Sequence, residues 1–516
     1  MQPQILIIDF GSQLTKLIAR RIRESGIFCE IIPFNKIEIR LLKKLNLKGL
    51  IFSGGPFSVN DYKAPSIQKS LLELKIPILG ICYGLQLICK IFHGEVDSSS
   101  SREFGKSKIK IKKKSPLING IYDKNAEYNV WMSHGDSIVK VPEGFETVAV
   151  SSNSSVAIIQ NVRKNLFGIQ FHPEVVHTKY GDKILEKFVF NICKAKRDWK
   201  MNIFKQQIIN EIRNTVKNEN VICGLSGGVD STVTAVLINE AIGDKLQCIF
   251  VNNGLMRMSE TIEIKKLFNQ NFKINLNVID ASQGFLSKLK GVINPEKKRK
   301  IIGREFIRCF ENFTKKNKNF KFLAQGTLYP DIIESISTVG KSKVTIKSHH
   351  NVGGLPKNIK FELIEPLKNL FKDEVRKLGK ELNIPNIFLE RHPFPGPGLG
   401  IRILGEITPK RIKILQEADN IFINQLRENN LYNKIWQAFC VLLPVKTVGV
   451  MGDNRTYEQV CILRAVTSRD GMTAEAYPFK SDFMNKCANK IINNVRGINR
   501  VCYDYTSKPP GTIEYE

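Results

Sequence analysis

Cys82 is the residue of this sequence best placed to act as a nucleophile. It lies between two glycines in Gly80-Ile-Cys-Tyr-Gly84, where an apolar strand pattern gives way to a helix pattern. A tight strand-to-helix turn needs small neighbours and pushes the central side chain outward, and the N-terminus of the following helix favours the reactive thiolate. The spacing therefore predicts a cysteine version of a nucleophile elbow. Other cysteines in apolar settings, such as Cys193 and Cys248, are predicted to be core residues.

A nucleophilic cysteine needs a base and a group that orients this base. The segment 167–174 supplies both at the end of a predicted strand, as His172 and, two residues later, Glu174. Pro173 disfavours helix at this point, so the two side chains can lie on the same side of an extended segment. His134, followed by Gly and Asp, is the nearest competing base, and spacing alone does not exclude it.

A second candidate site is the small-residue turn Ser226-Gly-Gly-Val-Asp-Ser-Thr232, between a predicted strand and a predicted helix. Such a turn at a helix N-terminus offers free N–H groups to a phosphate. It lacks the Gly-Lys-Ser/Thr ending of a Walker A loop. Gly340-Lys-Ser342 has that ending, but Ser335 stands where the first glycine should be.

Alternating strand and helix patterns must position these residues. They predict an α/β protein with two doubly wound, mostly parallel sheet domains and a smaller α+β C-terminal domain. The active sites are then expected at the carboxyl ends of the strands. The predicted domains are 1–194, 201–391 and 392–516, with a charged linker between the first two. The predicted strands lie at 5–10, 49–52, 76–79, 221–225, 246–251, 276–279 and 322–324.

The composition is that of a globular protein. Of its 516 residues 42% are hydrophobic and 25% charged, which excludes a largely disordered chain. No apolar stretch approaches the roughly 18–20 residues that span a bilayer, and no secretory signal is visible at the N-terminus. The 11 cysteines include no Cys-x-x-Cys pair. We therefore expect a cytoplasmic protein without membrane association.

The charge balance is strongly basic, with 78 Lys and Arg against 49 Asp and Glu and a formal net charge of +29. Such a balance attracts polyanions, so a nucleic-acid-binding protein is an alternative hypothesis. The lysines are nevertheless dispersed along the chain, which is more typical of solvated surfaces. We therefore expect no specific nucleic-acid partner.

The cysteine elbow and the Phe-His-Pro-Glu segment give residues 1–194 a resemblance to class I glutamine amidotransferases. This resemblance implies that Cys82, His172 and Glu174 hydrolyse glutamine through a thioester and release ammonia. Ser53-Gly-Gly-Pro56 matches the oxyanion loop of the family, in which the amide of Gly54 or Gly55 would join that of Tyr83. The positions that match the glutamine-holding segments are Gln86, Ser133, His134, Gly135 and Asp136.

The Ser-Gly-Gly-Val-Asp-Ser string resembles the pyrophosphate loop of ATP pyrophosphatases. The implied chemistry is activation of a substrate oxygen as its adenylate, with ATP as substrate and Mg²⁺ balancing the phosphate charge. Asp230 is the metal candidate. Lys347 is either a cation of a mobile loop or a solvated lysine. The residues implied to hold ATP are Ser226, Gly227, Gly228, Val229, Asp230, Ser231, Thr232 and Lys347.

Together with four further stretches, these motifs resemble the glutamine-hydrolysing GMP synthetase family over essentially the whole chain. The stretches begin at Asn294, Gly326, Arg391 and Ser507. The resemblance implies conversion of xanthosine monophosphate (XMP) to GMP, with glutamine, XMP and ATP as substrates and a homodimer formed by the C-terminal domain. Its implied XMP-binding residues are Arg299, Lys508 and Glu514. An NAD synthetase and a tRNA-thiolating enzyme remain alternatives.

Overall fold

The computed structural model describes residues 2–316, 320–336, 361–451, 453–468 and 473–516. The chain divides into two compact units, formed mainly by the residues up to 204 and by those from 205 onward. Within the described ranges, no helix is both long and apolar enough to cross a membrane. Each unit is organised around a large sheet.

The described residues up to 204 form nine strands, and the first four α-helices of the chain lie among them. The strands are β1 (Ile5–Asp9), β2 (Cys29–Pro33), β3 (Gly49–Phe52), β4 (Ile78–Ile81), β5 (Glu95–Ile111), β6 (Glu127–Lys140), β7 (Glu146–Ser151), β8 (Ile158–Asn161) and β9 (Leu166–Ile169). The helices are α1 (Thr15–Glu24), α2 (Ile39–Leu42), α3 (Tyr83–Ile91) and α4 (Gly181–Glu186).

The nine strands form one sheet in the order β2-β1-β3-β4-β9-β8-β7-β5-β6. The ladders from β2 to β9 are parallel, and those from β9 to β6 are antiparallel. Strands β1, β3 and β4 are buried along their whole length, as expected for apolar runs that are covered on both faces. The parallel half confirms the predicted fold class, whereas the antiparallel half was not anticipated from the sequence.

The segment 194–200, predicted as a charged linker, packs onto the first unit. Trp199 is only 7% exposed, and its ring stacks on Phe28 with 4.8 Å between centroids. The Gln4 side chain accepts a hydrogen bond of 2.9 Å from the amide of Lys196. The segment is therefore fixed to the first unit by the buried Trp199, a contact that its charge pattern did not predict.

The second unit is built on a five-stranded parallel sheet and a smaller C-terminal sheet. The strands are β10 (Asn220–Gly224), β11 (Leu246–Asn252), β12 (Asn275–Asp280), β13 (Phe320–Ala324), β14 (Glu362–Ile364), β15 (Gln437–Met451), β16 (Asn454–Thr467), β17 (Glu475–Ala476) and β18 (Ile498–Tyr503). The helices that follow α4 along the chain are α5 (Met201–Val216), α6 (Val229–Ile242), α7 (Glu260–Asn271), α8 (Ser282–Leu289), α9 (Pro295–Lys316), α10 (Tyr329–Ile336), α11 (Lys372–Glu381), α12 (Asn386–Leu389), α13 (Pro409–Glu428) and α14 (Ser481–Asn494).

The parallel sheet has the order β12-β11-β10-β13-β14. The chain runs outward from β10 to β11 and β12 and then crosses to β13 and β14 on the other side of β10, so the strand order reverses there. The crevice at such a reversal is the usual ligand site of a doubly wound sheet. In the C-terminal sheet, the β15–β16 hairpin pairs with β17 and β18. One hydrophobic core joins the two parts, since it includes Ile222 and Ile249 of the parallel sheet and Cys440 and Cys461 of the hairpin.

The crossing of α3 over the sheet of the first unit depends on two glycines. A Cβ atom at Gly84 would lie 2.5 Å from the carbonyl oxygen of Phe52, and one at Gly80 would lie 2.6 Å from the backbone of Gly84. Both obstacles are backbone atoms, which cannot swing away as a flexible side chain would. The glycines flanking Cys82 are therefore required by this close approach.

We expect Gly84→Ala to lower the free energy of unfolding by about 1–3 kcal/mol because the added methyl group meets backbone. Gly135→Ala is the matched control in the same unit, since a Cβ there meets nothing within 4 Å. Urea unfolding of both variants measures the difference. Equal stability of Gly84→Ala and the unchanged protein would contradict this account of the elbow.

Candidate active sites and family

Cys82 occupies the turn between β4 and α3. Its φ and ψ are 51° and −107°, which places it in a region that residues with side chains rarely adopt. Its amide donates a hydrogen bond of 2.8 Å to the carbonyl oxygen of Ile169, so the turn is fastened to the end of β9. The strained turn therefore holds the sulfur at the N-terminus of α3, where the helix dipole favours negative charge.

His172 and Glu174 follow β9, the strand that pairs with β4. Nδ1 of His172 lies 2.7 Å from Oε1 of Glu174, and both side chains are buried. The backbone of His172 is held on both sides: its amide donates to the carbonyl oxygen of Trp131 at 2.9 Å, and its carbonyl oxygen accepts from the hydroxyl of Thr178 at 2.6 Å. Cys82 lies close to the same ring, since a Cβ atom at Gly54 would be 3.1 Å from Cε1 of His172 and 3.7 Å from Cβ of Cys82. The structure thus brings thiol, imidazole and carboxylate together in one row.

Two opposing effects act on the proton of His172. Burial by itself lowers the pKa of the ring because it disfavours the charged form. The negative charge of Glu174 and the hydrogen bonds with Cys82 and Glu174 outweigh burial, so the pKa of His172 lies well above its ordinary value of 6.5. The site therefore stabilises an imidazolium beside the thiol, which is the partner that a thiolate needs.

His134, the competing base, is engaged elsewhere. Its Nδ1 lies 2.9 Å from the carbonyl oxygen of Asp136, and its Nε2 lies 3.1 Å from Oε2 of Glu103. Both ring nitrogens thus have partners other than Cys82. The geometry separates the two histidines, which spacing alone could not do.

The loop at Ser53–Gly55 lies beside the thiol and the imidazole. A Cβ atom at Gly54 would lie 3.1 Å from Cε1 of His172 and 3.7 Å from Cβ of Cys82. The hydroxyl of Ser53 donates to the carbonyl oxygen of Gly54 at 2.8 Å, which fixes the orientation of this peptide. Of the two candidate glycines, Gly54 is therefore the one in contact with both reacting groups. Tyr83 supplies the first residue of α3, where backbone N–H groups have no acceptor within the helix.

The residues expected to hold glutamine line the same region. The amide nitrogen of Gln86 donates to the carbonyl oxygen of Asp136 at 2.9 Å, and the carbonyl oxygen of Ser133 lies 3.6 Å from the sulfur of Cys82. Oδ2 of Asp136 is buried without a hydrogen-bond partner among the described residues. The sequence analysis missed Gln170, whose amide nitrogen lies 3.6 Å from the same sulfur. Its position within the Phe-Gly-Ile-Gln-Phe-His segment could have suggested a role.

The second site begins directly after β10. Ser226 and Ser231 share a hydrogen bond of 3.0 Å between their hydroxyl groups, and the hydroxyl of Thr232 donates to the carbonyl oxygen of Gly228 at 2.9 Å. Gly227 has a φ of +73°, which favours glycine. The predicted turn thus forms a compact loop that ends at the N-terminus of α6, where α6 begins with Val229.

Asp230 lies in the first turn of α6 and forms an ion pair with Lys372 of α11 through one carboxylate oxygen. The other oxygen, Oδ1, is buried and has no hydrogen-bond partner among the described residues. Across the same described part of the chain, no group of three His, Cys, Asp or Glu residues could hold a metal ion by itself. A cation at Asp230 would therefore need further oxygen ligands from a substrate. Lys347, like Gly340-Lys-Ser342, lies outside the described residues.

Arg391 supports the loop and was not predicted as a site residue. Its guanidinium donates to the carbonyl oxygen of Gly227 at 2.8 Å and forms an ion pair with the buried Glu260 at the start of α7. A Cβ atom at Gly227 would lie 2.3 Å from the side chain of Ile264 in the same helix. The loop is thus held from α7, although these residues lie far apart in the sequence.

The three candidate acceptor residues take part in separate contacts among the described residues. The guanidinium of Arg299 donates to the backbone carbonyl oxygen of Glu516. The carboxylate of Glu514 accepts from Arg402 at 2.8 and 3.0 Å and from Gln437 at 2.5 Å. The backbone of Lys508 pairs with that of Ala474. Each of these three contacts involves the C-terminal segment, and each is made with a different partner.

Comparison with known proteins covers the whole chain. A model of class I glutamine amidotransferases matches residues 6–192, a model of NAD synthases matches residues 202–308, and a model of the GMP synthase C-terminal domain matches residues 424–515. The glutamine-hydrolyzing GMP synthase of Bartonella henselae is 54% identical over 512 residues, which cover 99% of this chain and 98% of that protein.

Two further relatives with the same description come from Brachyspira hyodysenteriae, at 55% identity with 99% of each chain covered, and from Zymomonas mobilis, at 54% identity with 99% of this chain and 97% of that protein covered. The similarity includes the cysteine elbow, the Ser-Gly-Gly loop and the C-terminal segment in a single alignment of this length. Because it extends over both units, the chain belongs to the family of glutamine-hydrolysing GMP synthases.

Proposed function

We propose that this protein is a ligase that converts XMP to GMP, taking nitrogen from glutamine and cleaving ATP to AMP and pyrophosphate. The observation that carries the proposal is the row of Cys82, His172 and Glu174 on an elbow, in a chain whose relatives over 99% of its length are GMP synthases. The Ser226 loop supports the ATP-dependent half. The fold alone would not decide the reaction, since it hosts many.

In the first half-reaction, the sulfur of Cys82 attacks the side-chain carbonyl carbon of glutamine. His172 takes the thiol proton and passes it to the departing nitrogen, which leaves as ammonia. In this proposal the amides of Gly54 and Tyr83 stabilise the oxyanion that forms. Water then hydrolyses the thioester to give glutamate. Glu174 keeps the ring of His172 in one orientation and stabilises its positive charge.

In the second half-reaction, an oxygen of XMP attacks the α-phosphate of ATP and pyrophosphate leaves. The loop from Ser226 to Thr232 holds the pyrophosphate part of ATP through its amides and hydroxyl groups. Ammonia then attacks the adenylated carbon and expels AMP. The Lys372 ammonium, placed beside Asp230, adds positive charge at the same end of the loop.

The residues at this loop fit a magnesium ion. Mg²⁺ usually binds one or two carboxylates together with substrate phosphates, and Oδ1 of Asp230 is buried without a partner among the described residues. Asp230 would hold the ion, which would neutralise charge on the triphosphate. We also propose that Lys347 contributes a positive charge to binding of the same phosphates.

The C-terminal part would hold XMP through Arg299, Lys508 and Glu514, as the family resemblance implies.

We further propose that the C-terminal part forms a homodimer. On the outer face of the β15–β16 hairpin, Val448 pairs with Tyr457, and these side chains are 46% and 64% exposed, with the nearby Val450 75% exposed. Exposed apolar side chains grouped in this way are typical of an interface. Because the proposed substrates are phosphorylated nucleotides, we place the enzyme in the cytoplasm.

NAD synthesis is the second candidate, since the NAD synthase model matches residues 202–308. The match of the GMP synthase C-terminal domain to residues 424–515 favours XMP as acceptor. Comparing XMP with nicotinate adenine dinucleotide, with glutamine labelled in its amide nitrogen, distinguishes the two. Labelled GMP supports the proposal, whereas labelled NAD contradicts it.

Cys82→Ala should lower glutamine-dependent GMP synthesis by about 10³-fold or more because the nucleophile is lost. Synthesis from added ammonia should persist, since the second half-reaction does not use the thiol. Cys89→Ala on the same helix is the control: burial raises the pKa of that thiol to about 12, so it stays protonated, and its variant should keep both activities. Equal loss of both activities in Cys82→Ala would contradict the division of labour.

Asp230→Ala should lower AMP formation by about 100-fold or more with either nitrogen source, because the carboxylate that would hold Mg²⁺ against the phosphates is removed. The exposed Asp244, after the same helix, provides the control variant Asp244→Ala. Pyrophosphate release is the measurement. Glutaminase activity tested separately shows whether the first unit remains intact. Undiminished pyrophosphate release from Asp230→Ala would refute the assignment of the loop.

Glu174→Gln removes the charge that raises the pKa of His172, so its effect on stability should depend on pH. In the unchanged protein, stabilisation by the protonated ring is complete below the ordinary pKa of 6.5 and is lost as the pH rises through the higher pKa of the folded state. The variant should therefore lose more stability at mildly acidic than at alkaline pH. Urea unfolding at both pH values tests this, and a pH-independent difference would contradict it.

A further inference from the structure

Glu103 is a buried carboxylate that the proposed reaction does not yet use. It lies on β5 and is only 4% exposed. The hydroxyl of Ser151 is shared between its two oxygens, at 3.0 Å from Oε1 and 3.1 Å from Oε2, and the hydroxyl of Ser107 donates to Oε1 at 3.2 Å. Oε2 also faces Nε2 of His134 at 3.1 Å. Both side chains of this pair are 2% exposed, so the contact is shielded from water.

His134 is held through both of its ring nitrogens. Nδ1 lies 2.9 Å from the carbonyl oxygen of Asp136, which can only accept, so Nδ1 is the donor of this hydrogen bond. Nε2 lies 3.1 Å from Oε2 of Glu103. The carboxylate therefore fixes the ring through its second nitrogen.

This pair is connected to the thiol through a series of side chains. The carbonyl oxygen of Asp136 also accepts from the amide nitrogen of Gln86 at 2.9 Å. That nitrogen lies 3.4 Å from the side-chain oxygen of Gln170, and the amide nitrogen of Gln170 lies 3.6 Å from the sulfur of Cys82. Glu103 thus fixes His134 within the segment 133–136, and the carbonyl oxygen of Ser133 in this segment lies 3.6 Å from the sulfur.

We propose that Glu103 is a positioning residue for the glutamine substrate, acting through His134. By holding the ring, it fixes the backbone at Asp136. The buried Oδ2 of Asp136, which has no hydrogen-bond partner in the part of the chain that the structure describes, then accepts from the α-ammonium group of glutamine. This inference rests on the proposed glutaminase reaction. It assigns to Glu103 a task in binding rather than in bond breaking, because it touches neither the thiol nor His172 in the described contacts.

Three variants test the proposal. Glu103→Ala should raise the KM for glutamine by about tenfold or more, with a much smaller change in kcat, since the segment that binds the substrate is loosened. Glu103→Gln should restore most of the affinity, because its amide N–H can donate to a neutral His134 that keeps its hydrogen on Nδ1. Ser151→Ala, which removes one hydrogen bond to the carboxylate, should give an intermediate KM.

The control is Glu127→Ala on the neighbouring strand β6, where the carboxylate is 53% exposed and forms a surface ion pair of 3.7 Å with Lys108. It should leave the KM for glutamine unchanged. Ammonia-dependent synthesis should be the same in all variants, which shows that the second unit is intact, and a retained kcat for glutamine hydrolysis shows that the first unit is folded. Should Glu103→Ala fail to fold, Glu103→Gln and Ser151→Ala still rank the KM values.

An unchanged KM in Glu103→Ala, or a fall in kcat alone, would overturn the positioning role. A KM in Glu103→Gln as high as in Glu103→Ala would also overturn it, because restoring a hydrogen bond to His134 would then not restore glutamine binding. If the unchanged protein releases no ammonia from glutamine, the proposed function itself fails, and this result precedes and differs from any difference between variants.

Discussion

Burying an imidazole against a carboxylate is the interaction on which the glutaminase half depends. An isolated buried charge is strongly unfavourable, whereas a paired and hydrogen-bonded one is tolerated and is costly to disrupt. Among its described residues, the first unit contains two buried pairs of an imidazole and a carboxylate, His172 with Glu174 and His134 with Glu103. The first stabilises the imidazolium beside the sulfur, and the second fixes the backbone that faces this sulfur. Each pair therefore gives a different part of the site a single orientation.

The second unit uses the same principle to shape a phosphate loop. Asp230 is paired with Lys372, and Arg391 is paired with Glu260 while it holds the carbonyl oxygen of Gly227. The first pair joins α6 to α11. The second joins Arg391, which follows α12, to the start of α7, and Arg391 in turn contacts the loop. The carbonyl oxygen of Gly227 is thereby held by the surrounding protein, while the amides of Ser226 and Gly228 donate within the loop to the hydroxyl groups of Ser231 and Ser226 at 3.1 and 3.3 Å.

Much of both sites could be predicted because it is encoded in short segments. Cys82 with its two glycines, His172 with Glu174, and the Ser226 turn are each complete within a few residues, where chain geometry limits the arrangements that a turn can adopt. The parallel strands were likewise predicted from continuous apolar runs such as Ile5–Asp9. Gln170 and Glu103 were missed because their roles arise from contacts with residues 88 and 31 positions away.

The sequence by itself determined the chemistry available to this protein: a thiol at an elbow, a histidine followed by a glutamate, and a small-residue turn before a helix. Only the tertiary structure decided which histidine meets the sulfur. β9 lies beside β4 in the sheet and brings His172 to Cys82, whereas the long β5–β6 hairpin directs His134 to Glu103. The physical reason is that strand pairing is set by burial of apolar faces over the whole sheet, so the partner of a polar side chain at a strand end depends on residues far from it in sequence.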